Sequence, residues 1–363
     1  EMTSSLVGSE MCIRDRLCTA VSGMSLFAQA GVSYAKSAEK TTEAASSEEA
    51  ESEEETSEEV TYPITIEHAF GETVIESKPE RIATIGWENQ DTPLALGVAP
   101  VGVSAANYGM VTDNNLHPWT DEAFADLGVE KPVVFDDVDG LDFEQISDCN
   151  PDVILAAYSG MTQEDYDTLS QIAPVIPYKE KAWQTSWREQ TIENAEGMGM
   201  KPEGEKKVKE VEDLIAEKLE EYPQLEGIPT AFCWISADDF STFYVYLPTD
   251  PRAAYLLDLG LTLPESVQKL AGETDDFNIT VSRENADQLD DIQLMVVYGD
   301  EDLLKSLQED KLMSQIPAIK NGAVALVDST SALAGASTPS ILSIPYEIDE
   351  YLQLLSDVAE NIK

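Results

Sequence analysis

Beyond the first sixty residues, short apolar runs alternate with segments whose apolar side chains recur every three or four positions. Residues 64–66 and 73–75 alternate polar and apolar side chains on either side of Gly71, which predicts an opening β-hairpin. Residues 81–86 and 100–103 are short apolar runs typical of buried strands. Helical patterns separate the strands that follow, and this alternation predicts an α/β fold with a mostly parallel sheet.

A long amphipathic helix is predicted for residues 202–222, between Pro202 and Pro223. Roughly 20 helical residues span about 30 Å. Strand–helix alternation restarts at residues 230–235. The helix could lie on the surface of one large domain or could be a rod joining two lobes. We favour the rod, because the α/β pattern lies on both sides of it. The apolar stripe of the helix consists of Val208, Val211, Ile215, Leu219 and Tyr222.

The same layout occurs on each side of this helix. In both copies an N-cap candidate (Asp142, Ser282) is followed two residues later by Glu, then by a short helix, an acidic turn and an apolar strand that ends at Tyr. Glu144 precedes Tyr158 by 14 residues, and Glu284 precedes Tyr298 by the same distance. A duplicated helix–strand unit predicts two similar lobes, a cleft between them and a ligand in the cleft.

The first 60 residues differ in composition from the rest. Residues 1–35 combine a stretch that resembles translated sequencing-adapter sequence with the remains of an apolar export signal, in which Ala28-Gln29-Ala30 fits the cleavage rule. Residues 36–60 hold ten Glu against two Lys and no aromatic residue, which predicts a disordered acidic tether. We therefore expect an exported, extracytoplasmic protein, free or anchored through its N-terminus. The predicted folded parts are an N-terminal lobe (61–201), the connecting helix (202–223) and a C-terminal lobe (224–363).

The net charge of the chain argues against partners that are themselves negatively charged. The formal net charge is −48, and most of it lies beyond residue 60. Such a surface repels nucleic acid and anionic lipid headgroups. It favours solubility and a partner with a basic face, although for most of these charges we favour the simpler interpretation of a solvated surface with no specific partner. We expect a monomer.

The small number of cysteines and histidines argues against a metal site and against enzymatic catalysis. Cys149 and Cys233 fall in different predicted lobes, so we expect them to be buried and unpaired. The chain has two histidines, His68 and His117, which argues against a zinc or manganese site and against a Ser-His-Asp hydrolase. We expect a binding protein with no catalytic residue, no resident metal and no cofactor.

Ligand-contacting residues are sought at the carboxyl ends of the strands, where open parallel sheets bind ligands. The side chains there are mostly aromatic and carry few charges, which suits a bulky or flat ligand, although aromatic residues at strand ends also serve as the rim of a core. The candidates in the first lobe are Trp87, Tyr108, Tyr158 and Trp183, and those in the second are Trp234, Tyr244, Tyr246, Arg252 and Tyr298. Of these we favour Trp87, Tyr158, Trp183 and Arg252.

Several short runs, in their order and spacing, resemble one protein family. From residue 62 to its end the chain is similar to the substrate-binding proteins of ABC importers for ferric siderophores, haem and cobalamin. The resemblance implies two Rossmann-like lobes joined by a single long α-helix, with little lobe motion. The runs are 79–83, 94–102, 143–146, 150–154, 169–175, 187–190, 321–324 and 342–346.

The resemblance also implies a partner and residues that contact it. Members of this family dock on an ABC permease through one Glu in each lobe, and by motif these are Glu144 and Glu284. Taken singly, each is equally explained as an acidic residue in the first turn of a helix.

The small number of arginines narrows the class of ligand that the protein is expected to bind. Four arginines occur beyond residue 60, and a trianionic ferric catecholate requires several of them together, whereas a neutral or cationic ferric hydroxamate requires fewer. We therefore favour a ferric hydroxamate siderophore. The alternative is haem or a corrinoid on the same fold, with Tyr158 or Tyr244 as an axial haem ligand.

Overall fold

The computed structural model describes residues 60–137 and 140–363. The adapter-like stretch, the export signal and nearly all of the tether lie outside these residues. The described chain opens with the predicted antiparallel hairpin, β1 (Ile64–His68) and β2 (Gly71–Ile75). Over the described residues, the helices are too short or too polar to cross a membrane.

The first lobe is built on a parallel sheet of five strands in the order β5-β4-β3-β6-β7. On β6, Val153 and Leu155 pack into one apolar cluster, whereas Ile154 and Ala156 pack into another. The sheet is therefore buried on both faces, as continuous apolar strands require. Its strands are β3 (Ile82–Thr84), β4 (Gly102–Ser104), β5 (Val134–Phe135), β6 (Val153–Ala156) and β7 (Val175–Pro177). Its helices are α1 (Asp91–Ala95), α2 (Pro118–Asp126), α3 (Phe143–Asp148), α4 (Gln163–Leu169) and α5 (Trp187–Gly197).

The second lobe has a mixed sheet in the order β10-β9-β8-β11-β12. The strands β8, β11 and β12 are parallel, whereas β9 and β10 pair in the antiparallel sense. The mostly parallel α/β class is therefore confirmed. The strands are β8 (Thr230–Trp234), β9 (Thr242–Tyr246), β10 (Asn278–Ser282), β11 (Leu294–Tyr298) and β12 (Val324–Val327). The helices are α7 (Pro251–Asp258), α8 (Glu265–Ala271), α9 (Glu301–Glu309), α10 (Pro317–Asn321), α11 (Ala332–Ala336) and α12 (Ser343–Ala359).

The long helix α6 (Lys201–Leu219) connects the two sheets. It ends three residues earlier than expected, because the chain leaves the helix before a 3-10 turn at Pro223–Leu225. The side chains of Val208, Val211 and Ile215 are buried in a cluster that also contains Trp187 of α5 and residues of the second lobe. One continuous core therefore runs from the first lobe through the connecting helix. The exact limits of the lobes stay a prediction.

The duplicated unit is present in both lobes. Asp142 and Ser282 cap their helices through side-chain oxygens that accept backbone N–H groups. The first copy continues as α3 and β6, whereas the second is a 3-10 helix (Arg283–Gln288) followed by β11. The first strand ends at Ala156, two residues before Tyr158, so the prediction that it ends at Tyr was wrong. Cys149 and Cys233 are free, buried thiols.

Candidate functional site

Trp87 and Tyr158 lie side by side where β3 and β6 end. These neighbouring strands mark the point at which the strand order reverses, the usual ligand position in such sheets. The Trp87 amide donates to the Tyr158 carbonyl over 3.1 Å. A Cβ at Gly86 would come within 2.8 Å of that carbonyl, so the close approach needs glycine. The first lobe thus presents two candidate ligand residues from one joined edge.

A buried amide network holds this edge in place. The Asn89 side chain donates to the Tyr158 carbonyl over 2.9 Å and accepts from the Tyr158 amide over 3.1 Å. Asn194 of α5 donates to the same Asn89 oxygen over 2.9 Å, and Gln190 donates to the Trp87 carbonyl over 2.8 Å. The backbones that carry both aromatic side chains are therefore fixed to α5.

Trp183 reaches the same place from the loop before α5. Its ring meets the Tyr158 ring edge-on, with centroids 5.3 Å apart, and its amide donates to Ser159 over 3.2 Å. Its backbone has φ +61°, a left-handed conformation that a Trp adopts only under local constraint. Gly160 leaves the space for the indole, because a Cβ there would lie 2.5 Å from Nε1.

In the second lobe, the candidates centre on Arg252. Its guanidinium makes two 2.9 Å hydrogen bonds to the Asp250 carboxylate and lies 3.8 Å from the centre of the Tyr246 ring. Asp250 is 1% exposed and also caps α7. The fork-to-fork pair and the stacked ring fix the position of Arg252.

The first-lobe candidates Trp87, Tyr108, Tyr158 and Trp183 form one wall, and the second-lobe candidates Tyr246, Arg252 and Tyr298 form another. The two walls face each other. The Tyr108 ring of the first lobe meets the Tyr298 ring of the second edge-on at 5.2 Å. Burial raises the pKa of Tyr158; the charge of Asp250 raises this pKa further and that of Arg252 lowers it, which places the second-lobe pair near Tyr158. Seven of the nine candidates thus line two facing walls. Beside Trp183, an ion pair between Lys181 and Asp275 bridges the lobes.

Trp234 and Tyr244 form a separate pair on β8 and β9. Their ring centroids are 5.5 Å apart, and Trp234 packs against the core of the second lobe. Their role as ligand contacts stays a prediction.

Glu144 and Glu284 occupy equivalent exposed places. Residues 141–150 and 281–290 share the same pattern of buried, intermediate and exposed positions except at the first residue. Among the described residues, neither carboxylate has a hydrogen-bond or ion-pair partner. Their docking role stays a prediction.

Four buried polar residues behind the walls were missed in the sequence: Glu88, Asn89, His117 and Gln190. One local signal could have found them, because a run of polar side chains comes soon after the predicted strand 81–86, where apolar residues are expected. The network formed by Asn89 depends on residues about seventy to one hundred positions away, which no local pattern indicates.

Removing Arg252 should cost stability as well as ligand contacts. We expect Arg252→Ala to lower the free energy of unfolding by about 3 kcal/mol, because it leaves the buried Asp250 carboxylate without its cation. Chemical denaturation measures the change. The double variant Asp250→Asn/Arg252→Met should recover most of the loss, and equal losses in the single and double variants would contradict the explanation.

Comparison with known proteins agrees with this architecture. Residues 82–330 match the model of the periplasmic binding protein family. The crystal structure of PiaA from Streptococcus pneumoniae TIGR4 in complex with ferrichrome is 48% identical, with a TM-score of 0.79, and the match covers 83% of this chain and all of that one. SirA of Staphylococcus aureus, complexed with staphyloferrin B, is 23% identical, with a TM-score of 0.63 over 83% of this chain and 99% of that one. The petrobactin-binding protein YclQ of Bacillus subtilis is 24% identical over 305 residues, covering 80% of this chain and 88% of YclQ.

The family model spans more than half of the chain, and both lobes and the connecting helix fit the fold that the family uses. The chain therefore belongs to the periplasmic binding protein family, in the class whose two lobes are joined by one long helix.

Proposed function

We propose that this protein is the substrate-binding component of an ABC importer and that it captures a ferric siderophore of the hydroxamate type. The ligand would sit between the wall of Trp87, Tyr158 and Trp183 and the wall of Arg252 and Tyr298. Support comes from the aromatic character of both walls and from the 48% identity to a protein crystallised with ferrichrome.

The preference for a hydroxamate ligand depends on the arginines, which already have hydrogen-bond or ion-pair partners within the protein. Arg81 donates to two backbone carbonyls, Arg188 pairs with Glu212 and Asp258, Arg252 pairs with Asp250, and Arg283 pairs with Asp310. These are the four arginines beyond residue 60. A trianionic catecholate would need several uncommitted guanidinium groups, whereas a neutral trihydroxamate chelate needs none.

Delivery would follow capture. Glu144 and Glu284 would meet arginines of the permease, one from each lobe, outside the cytoplasm. Paired charges of this kind orient a complex and speed its formation. The N-terminal segment would keep the protein near the membrane.

Titration against a panel of ligands tests the proposal. The chain has five tryptophans, so binding near Trp87 and Trp183 should quench intrinsic fluorescence. We expect ferrichrome or ferrioxamine to bind with micromolar or tighter affinity, and a ferric catecholate at least tenfold more weakly (about 1.4 kcal/mol). Tighter binding of haem or cobalamin would favour the alternative ligand class, and no binding of any chelate or macrocycle would contradict the function.

A further inference from the structure

Behind the first wall, the carboxyl group of Glu88 is enclosed by polar groups from both lobes. The side chain directly follows Trp87, is 1% exposed, and has a backbone φ of +53°. Its Oε1 lies 3.0 Å from His117 Nδ1. The Ser340 hydroxyl of the second lobe and the Trp87 indole are close enough to oppose the rise in the pKa of the carboxyl, but neither is aligned to donate a hydrogen bond to it. With this left-handed backbone the Glu88 side chain is buried, whereas Trp87 stays partly exposed.

His117 connects Glu88 to a second wall residue. Its Nε2 lies 2.9 Å from the carbonyl oxygen of Tyr108. A carbonyl only accepts hydrogen bonds, so Nε2 carries a hydrogen, and in the neutral ring Nδ1 is an acceptor. The ring stacks on Trp119 at 4.6 Å and lies 5.3 Å from the Trp87 ring. His117 therefore lies between two residues of the wall.

A second buried carboxylate decides where the proton lies. Asp91 accepts hydrogen bonds from Trp119, Thr120 and Ser340, which stabilise its charged form. Glu88 has no comparable set of aligned donors. The titratable groups that act on this region are Asp91 and His117, with Tyr158 behind them. A charge on one of these carboxyl groups opposes ionisation of the other, so the two do not both ionise readily and Asp91 takes the charge first.

Burial has the corresponding effect on each group. It raises the pKa of Glu88 well above its usual range and lowers the pKa of His117. Burial is the largest cause that raises the pKa of Asp91, to about 7, against the opposing hydrogen bonds. A protonated Glu88 beside an unprotonated Nδ1 satisfies both groups without burying a charge.

We propose that Glu88 is a positioning residue of the ligand wall, which holds the His117 ring and, through that ring, the Trp87 indole and the Tyr108 carbonyl. It acts as a carboxylic acid that donates toward Nδ1. This assignment rests on the proposed function, because the wall it positions is the proposed siderophore wall. Two neighbours of Glu88 also contact the second lobe, since Asp91 accepts a hydrogen bond from Ser340 and His117 packs against Gly335 of α11.

The test compares Glu88→Gln with Glu88→Ala. Gln keeps the shape and a donor but cannot ionise, so the ferrichrome Kd of Glu88→Gln should stay within about twofold of wild type (about 0.4 kcal/mol). Glu88→Ala should weaken binding about tenfold (about 1.4 kcal/mol). Equal weakening in both variants, or an unchanged Kd in Glu88→Ala, would overturn the proposal.

A pH profile separates positioning from simple packing. In the unfolded chain Glu88 ionises near pH 4.3, whereas in the folded protein its pKa is higher, so wild type loses stability as the pH rises between these values. Glu88→Gln lacks this loss. Its melting temperature should therefore match that of wild type at about pH 4 and exceed it by a few degrees at about pH 7.5. A less stable Glu88→Gln at neutral pH would show an ion pair and refute the acid form.

Histidine NMR gives a readout that needs no ligand. The chain has two histidines, so a His68→Gln control assigns the ¹⁵N signals of His117. We expect a neutral ring with its hydrogen on Nε2 in wild type and Glu88→Gln at pH 7, and a protonated ring would refute the assignment. If wild type bound no chelate while these results held, the proposed function would fail and the protonation assignment would stand.

Discussion

Replacing Glu144 and Glu284 together with alanine should reduce siderophore-dependent uptake by a factor of one hundred or more (about 2.7 kcal/mol) and leave the ferrichrome Kd near that of wild type. Each carboxylate is exposed in the first turn of its helix, and among the described residues neither makes a hydrogen bond or an ion pair. Removing one partner of a desolvated charge pair costs about 2–5 kcal/mol. Two such losses in one complex should abolish productive docking.

The matched control for this variant is Glu164→Ala/Glu265→Ala. Glu164 and Glu265 are also exposed, lie in the first turns of α4 and α8, and belong one to each lobe. Uptake of radiolabelled ferric siderophore into cells that express each double variant measures the effect. Wild-type uptake with Glu144 and Glu284 both replaced would remove the docking assignment.

Truncation of Trp183 should weaken ferrichrome binding about thirtyfold or more, with little loss of stability. The half-buried indole offers a large apolar face, whose burial against a ligand is worth about 1.5–3 kcal/mol. The edge-on contact with Tyr158 contributes a further 0.5–1.5 kcal/mol, roughly, to holding the wall in place. Isothermal calorimetry of Trp183→Ala measures the change, and an unchanged Kd would place Trp183 outside the site.

The backbone at Trp183 supplies the control. Because φ is +61°, glycine fits this position better than alanine, so Trp183→Gly should be more stable than Trp183→Ala by about 1 kcal/mol while binding equally weakly. Trp183→Phe should keep part of the affinity because it retains an aromatic face. A ranking of affinities that followed stability rather than ring size would show that the loss comes from the fold.

The sequence predicted the elements of the fold better than their pairing. The hairpin around Gly71 and the rod from Lys201 to Leu219 follow from local periods of two and 3.6 residues. The antiparallel strands β9 and β10 were not predicted, because the period of a strand carries no information about the direction of its neighbour. The end of the rod was placed three residues too late because Pro223 marks a boundary only approximately.

Sequence reasoning could bring candidate residues together where the ends of strands decide their position. Trp87 and Tyr158 could be placed together because they follow the ends of neighbouring strands of one sheet, by three and two residues. The place of Trp183 depends on a left-handed backbone in a loop, and the commitment of Arg252 to Asp250 depends on side-chain geometry. Neither is encoded in an apolar pattern. Glu88 was also missed, because its neighbours are distant in the sequence and come from both lobes.

The continuous core limits how specificity can change within this class of proteins. Trp187 of the first lobe, the stripe of α6 and side chains of the second lobe share one apolar interior. A chimaera that exchanged one whole lobe for that of a relative would therefore separate Trp187 or the stripe of α6 from the side chains against which it packs. New ligand preferences should arise by point substitution in the facing walls, and an engineer should graft loops onto this scaffold and leave its halves together.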